Sequence, residues 1–170
     1  MKKIGIVTDS HSSISQEEAE KLGIFVLPMP FYIDGECYYE SVTLSRELFF
    51  EKLAAGADIT TSQPSPTAVM EIWDKALEQF EKILYMPISS GLSGSYETAM
   101  MLAKDEAYEG RVLVVDDGQV AAPLHQMVLD TLDMIEKGYE AEIVSGITSF
   151  CAVAARLNIS ANSWKRRETG

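Results

Sequence analysis

Two short stretches crowd hydroxyl side chains where helices are expected to begin. "TTSQPSPTAVMEIW", residues 60–73, sets five hydroxyl residues and two prolines at the head of an apolar-periodic run, and "SSGLSGSYETAM", residues 89–100, repeats the theme. A Ser or Thr before a helix is ordinarily a cap, and a cap uses one side-chain oxygen per helix. Thr61, Ser62, Ser65, Ser89, Ser90, Ser93 and Ser95 exceed that need. The surplus, joined to the free backbone N–H groups of two helix starts and kept approachable by Gly91 and Gly94, points to an anion site. "GLSGSY" has neither the Lys of a phosphate-binding loop nor the spacing of a dinucleotide fingerprint, which argues against ATP and NAD. A singly charged carboxylate asks for less: two or three donors hold it, each charge-assisted bond contributing about 1.5–3 kcal/mol.

Carboxylates stand nearby in the pattern. "TDS" puts Asp9 and Ser10 after the first expected strand, and "DD" puts Asp116 and Asp117 after the fourth. An Asp in such a place is a candidate for catalysis or metal binding, but more often it braces neighbouring loop amides. A serine hydrolase is the alternative reading, with Ser93 in a near match to the Gly-x-Ser-x-Gly elbow, His125 after it and Asp116 as third member. The order is wrong for that fold, because His125 lies on the helix that leaves the same strand end as Asp116. His125 is expected at the surface or in helix packing, whereas His11 can hydrogen-bond within the crevice. Met29, Met86 and Met100 fall near strand ends, where they can line a cavity.

The elements that must position these residues alternate. "KIGIVT" reads as a buried strand; Ser15 and Glu18 form a capping box for "QEEAEKL", which Gly23 closes. "IFVLPMPFYI" reads as a second strand, "DGE" as a turn and "YYESV" as a returning hairpin arm. A helix over 45–55 is expected to bury Leu48, Phe49 and Leu53. Ser65 as N-cap and Pro66 as first helical residue open another over 66–80, with Val69, Met70, Trp73, Leu77 and Phe80 on its apolar stripe. "KILYMPI" is the third strand, followed by a helix carrying Tyr96, Ala99, Met100 and Ala103. "RVLVVD" is the fourth, followed by a helix over 120–137. The fold class is therefore α/β, a central mostly parallel sheet with helices on both faces, and its site belongs at the carboxyl ends of the strands.

Bulk properties narrow the partners. With 170 residues, 46% hydrophobic, 24% charged and a formal net charge of −12, the chain suits one globular domain and argues against nucleic acid and anionic membranes. No run approaches the roughly 20 apolar residues of a membrane span. Cys37 and Cys151 have neither metal spacing nor a disulfide framework, which fits a reducing cytoplasm, and no metal is expected. Near residue 142 the character changes: 10 basic against 24 acidic residues up to Ala141, then four against two in the last 29. Residues 1–141 are read as an α/β domain and 142–170 as an atypical tail.

"TDSHSSIS", "TTSQPSP", "ISSGLSGSYETA" and "VVDD", in this order and spacing, resemble the DegV family over residues 3–141. The resemblance implies a fatty-acid-binding protein, a carrier with no reaction of its own, that presents a long-chain acyl group to a fatty acid kinase and needs no cofactor. Carried over by motif, Thr61 and Ser93 hold the carboxylate, with Ser62, Gly91, Gly94, Asp9, Ser10 and Asp116 in support. His11, Ser13 and Asp117 depart from the family pattern. The second domain that closes over the acyl chain is not recognisable, so the chain is expected to be a truncated or frame-shifted form whose binding is impaired. A fragment without ligand is the remaining alternative.

Overall fold

A computed structural model describes residues 2–39 and 42–138. The expected boundary at 141 and the stretch 142–170 lie outside the described residues.

Four strands form a parallel sheet in the order β2-β1-β6-β7, from β1 (Lys2–Asp9), β2 (Phe25–Leu27), β6 (Phe80–Met86) and β7 (Val112–Val114). The chain steps from β1 outward to β2 through α1 (Gln16–Leu22), then returns to place β6 on the other side of β1. That reversal makes a switch point at the carboxyl ends of β1 and β6, where an open α/β sheet leaves a crevice. On one face α3 (Pro66–Leu77) and α4 (Ser95–Leu102) bury Val69, Trp73, Ala76, Leu77 and Ala99 against Val7, Ile83, Tyr85 and Val114. On the other, α1 and α5 (Ala121–Glu136) bury Ala19, Leu124 and Val128 against Ile6, Val26 and Met86. Alternate residues of β1 and β6 thus feed opposite cores, the period-2 consequence of a sheet covered on both faces.

Local signals act as the sequence indicates. The Ser15 hydroxyl accepts from Glu18 N–H, and Ser65 accepts from Ala68 N–H with Pro66 in the first turn. Gly5 is required by close approach: a Cβ there would fall 2.5 Å from the Phe80 ring.

Three expectations need correction. "IFVLPMPFYI" is two strands in two sheets. β2 ends at Leu27, Pro28 and Met29 break the run, and β3 (Pro30–Ile33) joins β4 (Glu36–Tyr39) and β5 (Ile59–Thr61) in an antiparallel sheet ordered β4-β3-β5. The hairpin turn Asp34-Gly35 has positive φ at both residues, as a tight two-residue connection demands. Phe80 is the first residue of β6 rather than the end of α3, since the helix stops at Leu77. Finally, α2 (Arg46–Ala54) does not bury Leu48 and Leu53, which are 43% and 48% exposed. Phe49, half-buried, is its inward contact, meeting Phe31 edge-to-face at 5.6 Å.

Candidate functional site

The switch point is built by cross-strand bonds. Asp9, fully buried at the end of β1, accepts from Ile88 N–H through Oδ2 (2.8 Å) and from His11 N–H through Oδ1 (2.9 Å). Thr8 donates its hydroxyl to the Met86 carbonyl (2.8 Å), and Ser10 Oγ accepts from Met29 N–H (3.1 Å). At the next strand end, Asp116 receives Ser90 N–H, the Ser90 hydroxyl and Gly118 N–H. Both aspartates therefore brace loops.

Asp117 stands apart. Its Oδ1 accepts from Gln119 N–H, while Oδ2 is buried without a hydrogen-bond partner. Burial pushes its carboxyl pKa up, with the charges of Asp116 and Asp9 adding to the rise and the Gln119 amide opposing it. Beneath these strand ends the Tyr85 hydroxyl is buried and unpartnered, and burial, helped by Asp9, raises its pKa well above the ordinary tyrosine value. Three carboxyl groups, Asp9, Asp116 and Asp117, thus gather at the strand ends.

Beside it opens a cavity of about 510 Å³ between the 3-10 turn that follows β1 (Ser10–Ser12), the antiparallel sheet and α2. Its polar lining is Ser10, His11, Ser45 and Thr61; its apolar lining includes Met29, Phe31, Leu44, Phe49, Phe50 and Ile59. Such a volume, mostly apolar with a few convergent polar groups, is typical of small-molecule sites. Thr61, opposite Phe31 in the β3–β5 ladder, is exposed, and its hydroxyl makes no hydrogen bond to the described residues.

The two hydroxyl loops meet through a residue that the motifs did not single out. Gln63 reaches from the first loop to the second, where its Oε1 lies 3.5 Å from Thr98 Oγ1 and 2.9 Å from where a Cβ on Gly94 would stand. Gly94 therefore admits a side chain of the neighbouring loop. It is also the N-cap of α4, with no side-chain cap bond, so the hydroxyls around it serve other partners: Ser93 Oγ lies 2.8 Å from Ser95 Oγ and accepts from Ser95 N–H. Gly91 N–H donates to Ser89 Oγ, and the Ser62 hydroxyl donates to the Gln63 carbonyl. Of the sequence candidates, Thr61 and Ser10 line the cavity directly. Ser93, Ser62, Gly91, Gly94, Asp9 and Asp116 are not among its lining residues. Met29 and His11 belong to the lining as well, whereas Met86 is core and Met100 packs against the α3-side core. The aromatic wall of Phe31, Phe49 and Phe50 carried no motif. Its only signal was the density of aromatic residues in 31–50.

A hydrolytic triad is not assembled. Neither of the chain's two histidines hydrogen-bonds Ser93: His125 Nε2 pairs with Glu18 Oε1 at 3.1 Å, tying α5 to α1, and His11 lies beside Asp9. Among the described residues there is no group of three or more His, Cys, Asp or Glu able to hold a metal ion, and no helix is long and apolar enough to cross a membrane.

A parallel sheet with a loop-braced switch point and an apolar cavity beside it defines an α/β domain with a candidate small-molecule site. The family model described as "Uncharacterised protein, DegV family" matches residues 3–151, and the chain belongs to the DegV family. The match runs ten residues past the position at which the motif resemblance ends. A DegV domain-containing protein of Caldanaerobacter subterraneus subsp. tengcongensis is 34% identical over 148 residues, covering 86% of this chain and 52% of its own length. The solved structure described as fatty acid binding of a DegV family protein from Thermus thermophilus superposes with a TM-score of 0.75 at 32% identity, covering 92% of this chain and 52% of that one. This chain thus spans about half the length of those two relatives. A DegV domain-containing 15.5 kDa protein of Staphylococcus aureus differs: it is 29% identical, and the match covers 79% of this chain and 95% of the relative.

Proposed function

We propose that this domain holds the acyl chain of a long-chain fatty acid in the cavity beside the switch point, with the carboxylate directed to the hydroxyl loops at Thr61 and Ser93. The observation that carries the reading is the composition of the cavity lining, three hydroxyls and an imidazole from Ser10, Ser45, Thr61 and His11 among aromatic and aliphatic side chains. Family membership and the fatty acid binding described for the Thermus thermophilus relative support it.

The physics divides the labour. Burying roughly 14 methylenes at about 0.8 kcal/mol each gives an upper limit near 11 kcal/mol, more than the headgroup bonds supply, so the tail gives affinity and the hydroxyls orientation. Phe50 of the α2 wall is itself exposed, so a tail covered on that side by α2 alone realises less than this limit. The domain acts as a carrier, with chemistry on the carboxylate left to a fatty acid kinase in the same cytoplasmic compartment.

Native mass spectrometry of the purified chain followed by organic extraction tests this. A co-purifying or added C16–C18 acid is expected to bind, and Thr61→Ala with Ser93→Ala is expected to weaken it about tenfold or more. A chain that neither retains nor takes up such an acid is a ligand-free fragment, and the proposal fails.

A further inference from the structure

We propose that His11, protonated and steadied by Asp9, is the cationic contact for the acid headgroup, so that this domain carries within itself the counter-charge a carboxylate ligand needs. The inference rests on the fatty-acid reading above and adds a residue and a pH dependence to it.

The electrostatics of the strand ends set the problem. Asp9, Asp116 and Asp117 converge there closely enough that the first two help to raise the pKa of the third. An acid headgroup brought beside them meets like charges, which opposes binding unless a cation intervenes. His11 is the one side chain among the cavity-lining residues that can carry a positive charge, the others being Ser, Thr, Met, Pro, Phe, Leu and Ile.

Its placement suits the task. The turn after β1 is fixed by Asp9 Oδ1, which accepts the His11 backbone N–H, and the imidazole Nδ1 lies 3.5 Å from that same oxygen. Nδ1 is buried and has no hydrogen-bond partner. A neutral ring that turns Nδ1–H to Asp9 leaves Nε2 a bare acceptor, which a carboxylate cannot use. A protonated ring pairs Nδ1 with Asp9 and leaves the Nε2–H as a charged donor for a ligand. Asp9 is the charged side chain within ion-pair range of His11 among the described residues. From α5, which packs on this turn, His125 is turned to Glu18. The imidazolium thus stands between buried carboxylate and incoming carboxylate, separating two like charges.

The experiment compares a C16 fatty acid with the C16 primary alcohol, by calorimetry or fluorescence displacement, between about pH 5.5 and 8. The acid is expected to bind progressively more weakly as pH rises through the imidazole range, and the alcohol to show no such trend. His11→Gln is expected to lose about tenfold in acid affinity at the acidic end, with a flat profile and unchanged alcohol binding, while His11→Lys retains acid binding across the window. In the unsubstituted chain, the His11 ring proton resonance is expected to titrate at higher pH once the acid is bound. Equal pH profiles for wild type and His11→Gln, with the acid still bound, overturn the role of His11 and leave the carrier reading intact. Binding of neither probe overturns both.

Discussion

The two sheets of this domain obey different rules. The parallel sheet is covered on both faces: Trp73, Ile83, Tyr85, Leu124 and Val128 are fully buried, and Trp73 meets Tyr85 and Tyr108 edge-to-face at 5.5 and 5.2 Å. The antiparallel sheet with α2 is held by a chain of aromatic contacts, Tyr38 on Phe31, Phe31 on Phe49 and Phe49 on Phe50, while Leu48, Phe50 and Leu53 face solvent. The cavity lies along the edge of the second unit, against the strand ends of the first. A doubly covered sheet therefore borders the cavity on one side and a thinner aromatic wall on the other. Local opening is expected in the thinner unit, because it draws on regions with few buried apolar contacts.

Three substitutions test that contrast. The largest effect is expected at Trp73→Ala. It empties the centre of the α3-side core, and Phe or Trp to Ala in such a place costs about 3–5 kcal/mol, visible as a large fall in the denaturant midpoint. A loss under about 1 kcal/mol would mean that the parallel sheet is no more tightly built than its neighbour.

Phe49→Ala comes next. Its half-buried ring links α2 to β3, and the expected loss is about 1–2 kcal/mol. Hydrogen exchange should quicken across 42–58 while β1 and β6 keep their protection. Uniform loss across both sheets would show that the two units open together and would remove the distinction drawn above.

The smallest effect concerns pH. Folding raises the Asp117 pKa above the ordinary 3.8, so the folded state keeps its proton to higher pH than the unfolded chain. Its contribution to stability is fully present below the ordinary value and is lost as pH rises through the folded one. Asp117→Asn retains an oxygen for the Gln119 amide and cannot ionise. It should raise the Tm slightly at neutral pH and flatten the acid-side slope, and parallel melting profiles for the two proteins would refute this.

Much of the frame was legible because its signals are local. Caps at Ser15 and Ser65, the Asp34-Gly35 turn and the apolar strands at 3–8 and 82–86 each depend on residues a few positions apart. Where local signals conflict, reading failed. In α2 the apolar residues Leu48, Phe49, Phe50 and Leu53 point around the helix rather than along one stripe, so sequence could not tell which one faces inward. The strand β5 is three residues long and exists only because β3 lies beside it.

The sequence by itself determined an α/β domain, its helix starts and the loops in which hydroxyls and aspartates gather, because capping, turn chemistry and periodicity act over one or two turns of chain. Tertiary structure alone decided which amides Asp9 and Asp116 brace, that Gln63 joins the hydroxyl stretches through Gly94, and that Ser10, His11, Phe31, Phe49 and Thr61 share one cavity. Those contacts join residues tens of positions apart, and their energies depend on burial and on which neighbours supply hydrogen bonds, quantities that exist only once the sheet has brought its strand ends together.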